Sequence, residues 1–199
     1  MTTAGHDPGT PASQWHQPRQ VCLGESMPQV QSTAWVPLPP TEAFAVSQTT
    51  GALRLQWDPF IRAQHLIDAD RPAVGVRTWT RARLGPSMIS EYRSYRPPTS
   101  VGMTMVRGPW FFEAFGGGWR FNGETRDSVP GTRARWKYTF TVRPRWLARV
   151  GEPIGLWLLG REIDARIRAF ARACADARIV AAACDGDAGS SSAGVEEDR

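Results

Sequence analysis

The sequence predicts an α+β domain: a curved antiparallel sheet of about seven strands around one long C-terminal helix, with two short helices after the first strand. Three observations lead there. β-type runs of roughly ten residues recur between Ala73 and Arg143, separated by Gly or Pro. Elements of one type follow one another instead of alternating, which excludes a doubly wound parallel sheet. An apolar stripe at helical spacing then fills the end of the chain.

In chain order, a short strand is expected over Ser32–Leu38, stopped by Pro39 and Pro40. Thr41 has the character of an N-cap for a short helix anchored by Phe44. A second short helix fits Gly51–Trp57, closed by Asp58-Pro59, and a loop with Leu66, Ile67, Asp68 and Asp70 follows. Strands are then expected in 73–82, 87–97 and 100–109, separated by Leu84-Gly85-Pro86 and Pro97-Pro98. The segment 110–123 reads as two strands, because Gly116-Gly117-Gly118 lets the chain bend or bulge. Over 133–143, Trp136, Tyr138, Phe140 and Val142 alternate with Lys137, Thr139, Thr141 and Arg143, the pattern of a half-buried strand. From 153 to 182, Leu156, Leu159, Ile163, Ile167, Phe170 and Cys174 recur at three- and four-residue steps and mark a helix.

The chain has 199 residues, 41% of them hydrophobic and 22% charged, so it supports one domain with a real core. Residues 1–31 read as a disordered leader, 32–182 as the folded domain and 183–199 as a disordered Gly/Ser/acidic tail. The longest apolar stretches of the C-terminal half, Ile154–Leu159 and Ile179–Cys184, are too short to span a bilayer, so no stable membrane insertion is expected. No basic segment precedes an apolar one near the start, which argues against a secretory signal. Three cysteines without a CxxC spacing predict neither a disulfide framework nor a metal site and point to a cytoplasmic location. Residues 32–184 hold 22 basic and 12 acidic side chains, yet no compact basic run occurs, so nucleic acid is not an expected partner. GxxxxGK[ST], GxSxG and HExxH are absent, and the Gly116–Gly118 cluster lacks the spacing of a dinucleotide fingerprint.

Several short pieces carry a family likeness. They are Val36-Pro37-Leu38-Pro39-Pro40 leading into Glu42-Ala43-Phe44, and Trp57-Asp58-Pro59 after the second helix. Val74-Gly75-Val76-Arg77-Thr78-Trp79, Phe115-Gly116-Gly117-Gly118-Trp119-Arg120-Phe121, and Tyr138-Thr139-Phe140 with Arg143-Pro144 complete the set. Over roughly 32–180 the chain resembles the START-like (SRPBCC) superfamily with the helix-grip fold, in its polyketide cyclase/dehydrase and lipid-transport branch. The resemblance implies a deep apolar pocket, a hydrophobic small molecule as partner and no required metal, nucleotide or other cofactor. It does not choose between an enzyme and a binder.

A sheet bent around a helix leaves a natural ligand cavity. Its expected walls are Trp79, Tyr92, Met103, Met105, Phe112, Trp119, Phe121, Trp136 and Phe140, with Trp157 across from them. Flat rings in such number suit an aromatic or polyketide-like molecule. Glu113 and Glu91, on strands rich in apolar residues, are the candidate acid–base groups, because a carboxyl in apolar surroundings is harder to ionise. Arg120, Arg77 or Arg107 would hold a carboxylate or enolate, and Tyr138 would donate to a carbonyl oxygen. His65 is a weaker candidate base, Asp58 reads as a turn former, Cys174 as a buried thiol, and Glu162 and Asp164 as solvated partners of helix arginines. Cyclisation or dehydration of a poly-carbonyl chain is one reading. A non-catalytic lipid or quinone carrier and an interaction module are the others, with a monomer or homodimer as the expected assembly.

Overall fold

The computed structural model describes residues 27–188. Most of the expected leader, most of the expected tail, His6, His16 and Cys22 lie outside the described residues. The chain runs through β1 (Gln29–Val36), α1 (Pro40–Gln48), α2 (Gly51–Trp57), β2 (Ile61–Ile67), β3 (Arg77–Ala82), β4 (Ser87–Arg96) and β5 (Ser100–Arg107). It continues as β6 (Phe112–Arg126), β7 (Val129–Val142), α3 (Arg145–Cys174) and α4 (Ala177–Ala188). All seven strands join one sheet in the order β1-β7-β6-β5-β4-β3-β2, and every neighbouring pair is antiparallel. With α3 packed across β1 and β7, this is the helix-grip α+β fold.

The expected strand count is met, but by a different division. Ile61–Ile67, expected as loop, forms the edge strand β2; Arg62, Gln64 and His65 hide its alternation, and its pairing slips between Ile61 and Ala63. The Gly116–Gly118 run does not break β6, which pairs unbroken with β7 from Ala114 to Arg126. These glycines serve close approach instead. A Cβ on Gly117 would lie 2.7 Å from the Tyr138 ring and 2.9 Å from the Lys137 carbonyl oxygen. The missing side chain is the space in which Tyr138 lies.

β6 and β7 form one long hairpin, closed at Asp127 and Ser128 with φ of 49° and 64°. Such left-handed pairs match the twist of the flanking strands, and Asp tolerates them better than most residues. α1 starts one residue before its expected cap. Pro39 is the cap and Pro40 the first helical residue, where a missing N–H costs nothing, and Thr41 lies inside the helix. The expected C-terminal helix is two helices. α3 begins at Arg145, carries Pro153 within it, and ends at Cys174; α4 then packs against α1.

The core lies where α1, α2 and the C-terminal half of α3 meet the sheet. Phe44, Trp57, Trp119, Phe121, Ile163, Ile167 and Phe170 are all buried there. Phe170 is fully enclosed and lies 4.9 Å from Trp119 and 6.0 Å from Trp57, centroid to centroid. Trp119 in turn stacks on Trp136 at 4.1 Å. Urea denaturation should show Phe170→Ala losing about 3–5 kcal/mol, the range for deleting a buried ring. Gly117→Ala should lose about 1–3 kcal/mol by pressing on Tyr138. Unchanged midpoints would show that these packings are not as tight as described.

Candidate functional site

Beside this core the sheet and α3 part. They enclose a cavity of about 620 Å³, within the roughly 300–1,000 Å³ usual for small-molecule sites. Tyr92, Met103, Met105, Phe112, Phe115, Trp119 and Trp136 supply apolar wall from the sheet, and Gly155, Leu158 and Leu159 from the helix. Leu84, Ile154 and Leu158 line it while remaining solvent-exposed, so the cavity opens between the β3–β4 hairpin and the N-terminal half of α3.

Strand parity decides who faces in. On β4, Met88, Ser90 and Tyr92 line the cavity, which turns Glu91 outward into ion pairs with Arg77 at 3.2 Å and Arg93 at 3.0 Å. Glu113 on β6 and Arg120 are likewise exposed, and neither lines the cavity. These corrections remove three of the four expected catalytic groups from the interior, and leave Tyr138. On β3, Thr78 and Thr80 point in, so Trp79 lies on the outer face stacked on His65 at 5.1 Å. Bulk misleads there, since two threonines occupy the inner positions. Trp157 is 60% exposed on α3 and does not line the cavity. Phe121 and Phe140 are buried but belong to the packed core; the Phe140 ring fills the space opposite Gly155.

Sequence reasoning missed a buried polar cluster, which lies at the inner end of the cavity. Asp58, at the C-terminal end of α2, is completely buried. Its Oδ2 accepts from Arg54 Nε at 2.9 Å and from Arg166 Nη2 at 2.7 Å, while Oδ1 accepts the Phe60 backbone N–H at 3.2 Å. Arg54 also donates to the Ser47 carbonyl at 2.7 Å, which ties α2 to the end of α1. Arg166 Nη1 donates to the Tyr138 hydroxyl at 2.6 Å and to Glu162 Oε1 at 3.2 Å. The guanidinium carbon of Arg166 lies 4.3 Å from the Trp136 ring centroid and 4.8 Å from that of Phe60. Flat cations suit such ring faces. Arg54, Tyr138, Glu162 and Arg166 all line the cavity.

The signal for these residues was a polar interruption of apolar patterning. Arg166 and Glu162 lie among Leu159, Ile163, Ile167 and Phe170 on one side of α3, where a solvated charge has no place. Arg54 and Asp58 are four apart, the spacing of a helical ion pair.

Burial alone would raise the Asp58 pKa, but the adjoining Arg166 and Arg54 guanidinia outweigh it and hold the carboxyl below the ordinary range. Burial lowers the Arg54 pKa, yet a guanidinium with this partner keeps its charge. Glu162 goes the other way, because burial lifts its pKa more than Arg166 depresses it. Burial also pushes Tyr92 up to about 12 and raises Tyr138, so both hydroxyls remain donors at neutral pH. Cys174 sits in the core with its thiol raised to about 12 by burial, which makes it an unreactive packing group. Among the described residues no three His, Cys, Asp or Glu side chains converge as metal ligands.

Residues 27–175 match the profile of the family described as polyketide cyclase/dehydrase and lipid transport. Solved structures share the fold. XoxI from Bacillus cereus superposes with a TM-score of 0.60 at 14% identity, over 75% of this chain and 97% of its own. A protein from Thermus thermophilus gives 0.59 at 15% identity, covering 78% and 99%. A START superfamily protein from Mycobacterium smegmatis gives 0.56 at 13% identity, covering 72% and 94%. At such identities the likeness speaks to fold alone. No curated protein matches the chain.

Asp58→Asn should cost about 3–5 kcal/mol, because it leaves two buried guanidinia without their anion. Glu91→Gln, which removes a partly exposed pairing, should cost under about 1 kcal/mol. The two buried acids should also leave opposite marks on stability against pH. Asp58 is depressed, so its contribution is present above about pH 4 and disappears as pH falls through its folded value. Glu162 is raised, so the folded chain keeps a proton the unfolded chain has released, and its contribution declines as pH rises above about 4.3. Urea midpoints from pH 3 to 7 for Asp58→Asn and Glu162→Gln should each lose the corresponding slope. Slopes unchanged in both variants would contradict the assignment.

Proposed function

The chain belongs to the polyketide cyclase/dehydrase and lipid-transport family, and from that premise we propose that it encloses an aromatic or polyketide-like molecule with an oxygen function held at the inner end of the cavity. The observation that carries this reading is segregation. The walls are apolar and aromatic, while Arg54, Tyr138, Glu162 and Arg166 gather in one place. A ligand with one oxygenated end and a flat apolar body matches both parts. Tyr138 and Arg166 are donors suited to a carbonyl or enolate oxygen. Thr78, Thr80 and Ser90 offer further hydrogen bonds along the wall.

The placement of Glu162 and Tyr138 on a shared donor, Arg166 Nη1, also supports a cyclase or dehydratase. A carboxyl that burial makes harder to ionise, placed beside a cavity, is suited to taking and returning a proton. In an aldol-type closure the Glu162 carboxylate takes a proton from a carbon between two carbonyls. The enolate oxygen rests on Tyr138 O–H, and the enolate carbon attacks a second carbonyl to form the ring bond. The new alkoxide recovers the proton from Glu162. Folding the chain inside an apolar space brings the reacting carbons together and excludes water. Glu162 thus takes the role that the sequence suggested for Glu91 or Glu113.

Native mass spectrometry of the gently purified chain is the test. A bound organic mass should appear, and it should persist in Glu91→Gln and Glu113→Gln. Glu162→Gln should keep the bound mass but abolish any turnover of that compound; a carrier would show no turnover in either form. A bare polypeptide mass, together with failure to bind an apolar fluorophore, would overturn the ligand-binding reading.

A further inference from the structure

The cavity mouth has an unusual border. Leu84, at the tip of the β3–β4 hairpin, is completely exposed, and Trp110, in the β5–β6 loop, is 70% exposed. On α3, Trp146, Val150, Ile154 and Trp157 are 78%, 60%, 52% and 60% exposed. These four recur at steps of four, four and three, so they form one stripe along the helix. The stripe is not the side that grips the sheet, since Gly151 and Gly155 face Val142 and Phe140. Ile154 and its exposed neighbour Leu158 line the cavity, which makes the stripe continuous with the opening. An apolar helix face left in water is costly unless something covers it.

The charges around this border favour one occupant. Arg81, Arg83, Arg107 and Arg149 are exposed in the same three segments, with Arg143 exposed just before α3 and Arg161 just past its midpoint. Glu113 and Glu152 are the acids there. Arg143 Nε donates to the Trp110 carbonyl at 2.6 Å, and the Arg161 guanidinium lies 5.2 Å from the Trp157 ring centroid, so cations and tryptophans are interleaved. Tryptophan settles at the boundary between headgroups and acyl chains, and arginine pairs with anionic headgroups. A second copy of this surface would instead bring like charges against like.

We propose that the rim formed by the β3–β4 tip, the β5–β6 loop and the first half of α3 docks peripherally on an anionic lipid surface, with the cavity mouth facing the bilayer. No described helix is long and apolar enough to cross a membrane, and docking needs none to do so. The docked orientation lets an apolar ligand pass between bilayer and cavity without crossing water. The surface contact itself does not depend on which ligand the cavity holds.

The test is co-sedimentation of the full chain with vesicles of phosphatidylcholine alone or with about one-third phosphatidylserine, an anionic leaflet. The chain should sediment with the anionic vesicles only, and about 0.5 M salt should reduce the bound fraction. Trp fluorescence should shift to the blue on binding. Arg149→Glu with Arg161→Glu should weaken binding by roughly tenfold or more. Trp146→Ser with Trp157→Ser should do the same at unchanged far-UV circular dichroism. Any of three results overturns the proposal: no sedimentation with anionic vesicles, equal binding to neutral ones, or full binding by both double variants. Loss of a concentration-dependent dimer in those variants, without vesicle binding, would assign the rim to a second copy instead.

Discussion

One carboxylate organises the interior. Asp58 Oδ2 holds Arg54 from its own helix and Arg166 from α3, which lies 108 residues further along the chain. None of the three is more than slightly exposed. Each of these charges alone would cost several kcal/mol to bury, and only their mutual pairing makes burial tolerable. The pairing therefore fixes where α2 meets α3. It also fixes where the helix cannot sink further into the sheet, because the guanidinia must stay at the carboxylate and against the faces of Trp57 and Trp136. The hollow next to them follows from that standoff.

The same interaction links stability to chemistry. Arg166 divides its hydrogen bonds between a structural anion, Asp58, and two cavity-facing groups, Tyr138 and Glu162. A buried arginine tied in three directions has little freedom to move. The polar inner end is thus held rigid, and preorganisation of this kind lowers the entropic cost of binding. At the opposite end the lining residues Leu84, Ile154 and Leu158 stand in solvent. Rigidity at the inner end and exposure at the mouth divide the cavity into a fixed polar end and an open apolar end.

Much of the fold can be read from the sequence because a half-buried antiparallel sheet writes its parity plainly. Trp136, Tyr138, Phe140 and Val142 face inward as their alternation requires. β2 is obscured because an edge strand with a bulge needs few apolar residues. The end of α3 is obscured because Ala175–Asp176 interrupts the helix without Gly or Pro. The site is less legible for a different reason. Side-chain size is a poor guide to the interior: it points to Trp79 and Trp157, whereas Thr78, Thr80 and Leu158 hold those positions. The strand carboxylates Glu91 and Glu113 alternate outward. The buried acids, Asp58 and Glu162, sit on or beside helices and read in sequence as a turn former and as a solvated partner of helix arginines. Only tertiary packing removes them from water, and the one linear trace of it is the interruption of the α3 apolar stripe by Glu162 and Arg166.

A double-mutant cycle between Asp58 and Arg166, using Asp58→Asn and Arg166→Gln and read by urea unfolding, tests the central interaction most directly. The account predicts that the two changes together cost at least about 2 kcal/mol less than the sum of the singles, as expected of directly paired buried groups. Additivity within about 0.5 kcal/mol would mean that the two residues do not depend on one another, and the explanation of both the standoff and the rigid inner end would fail.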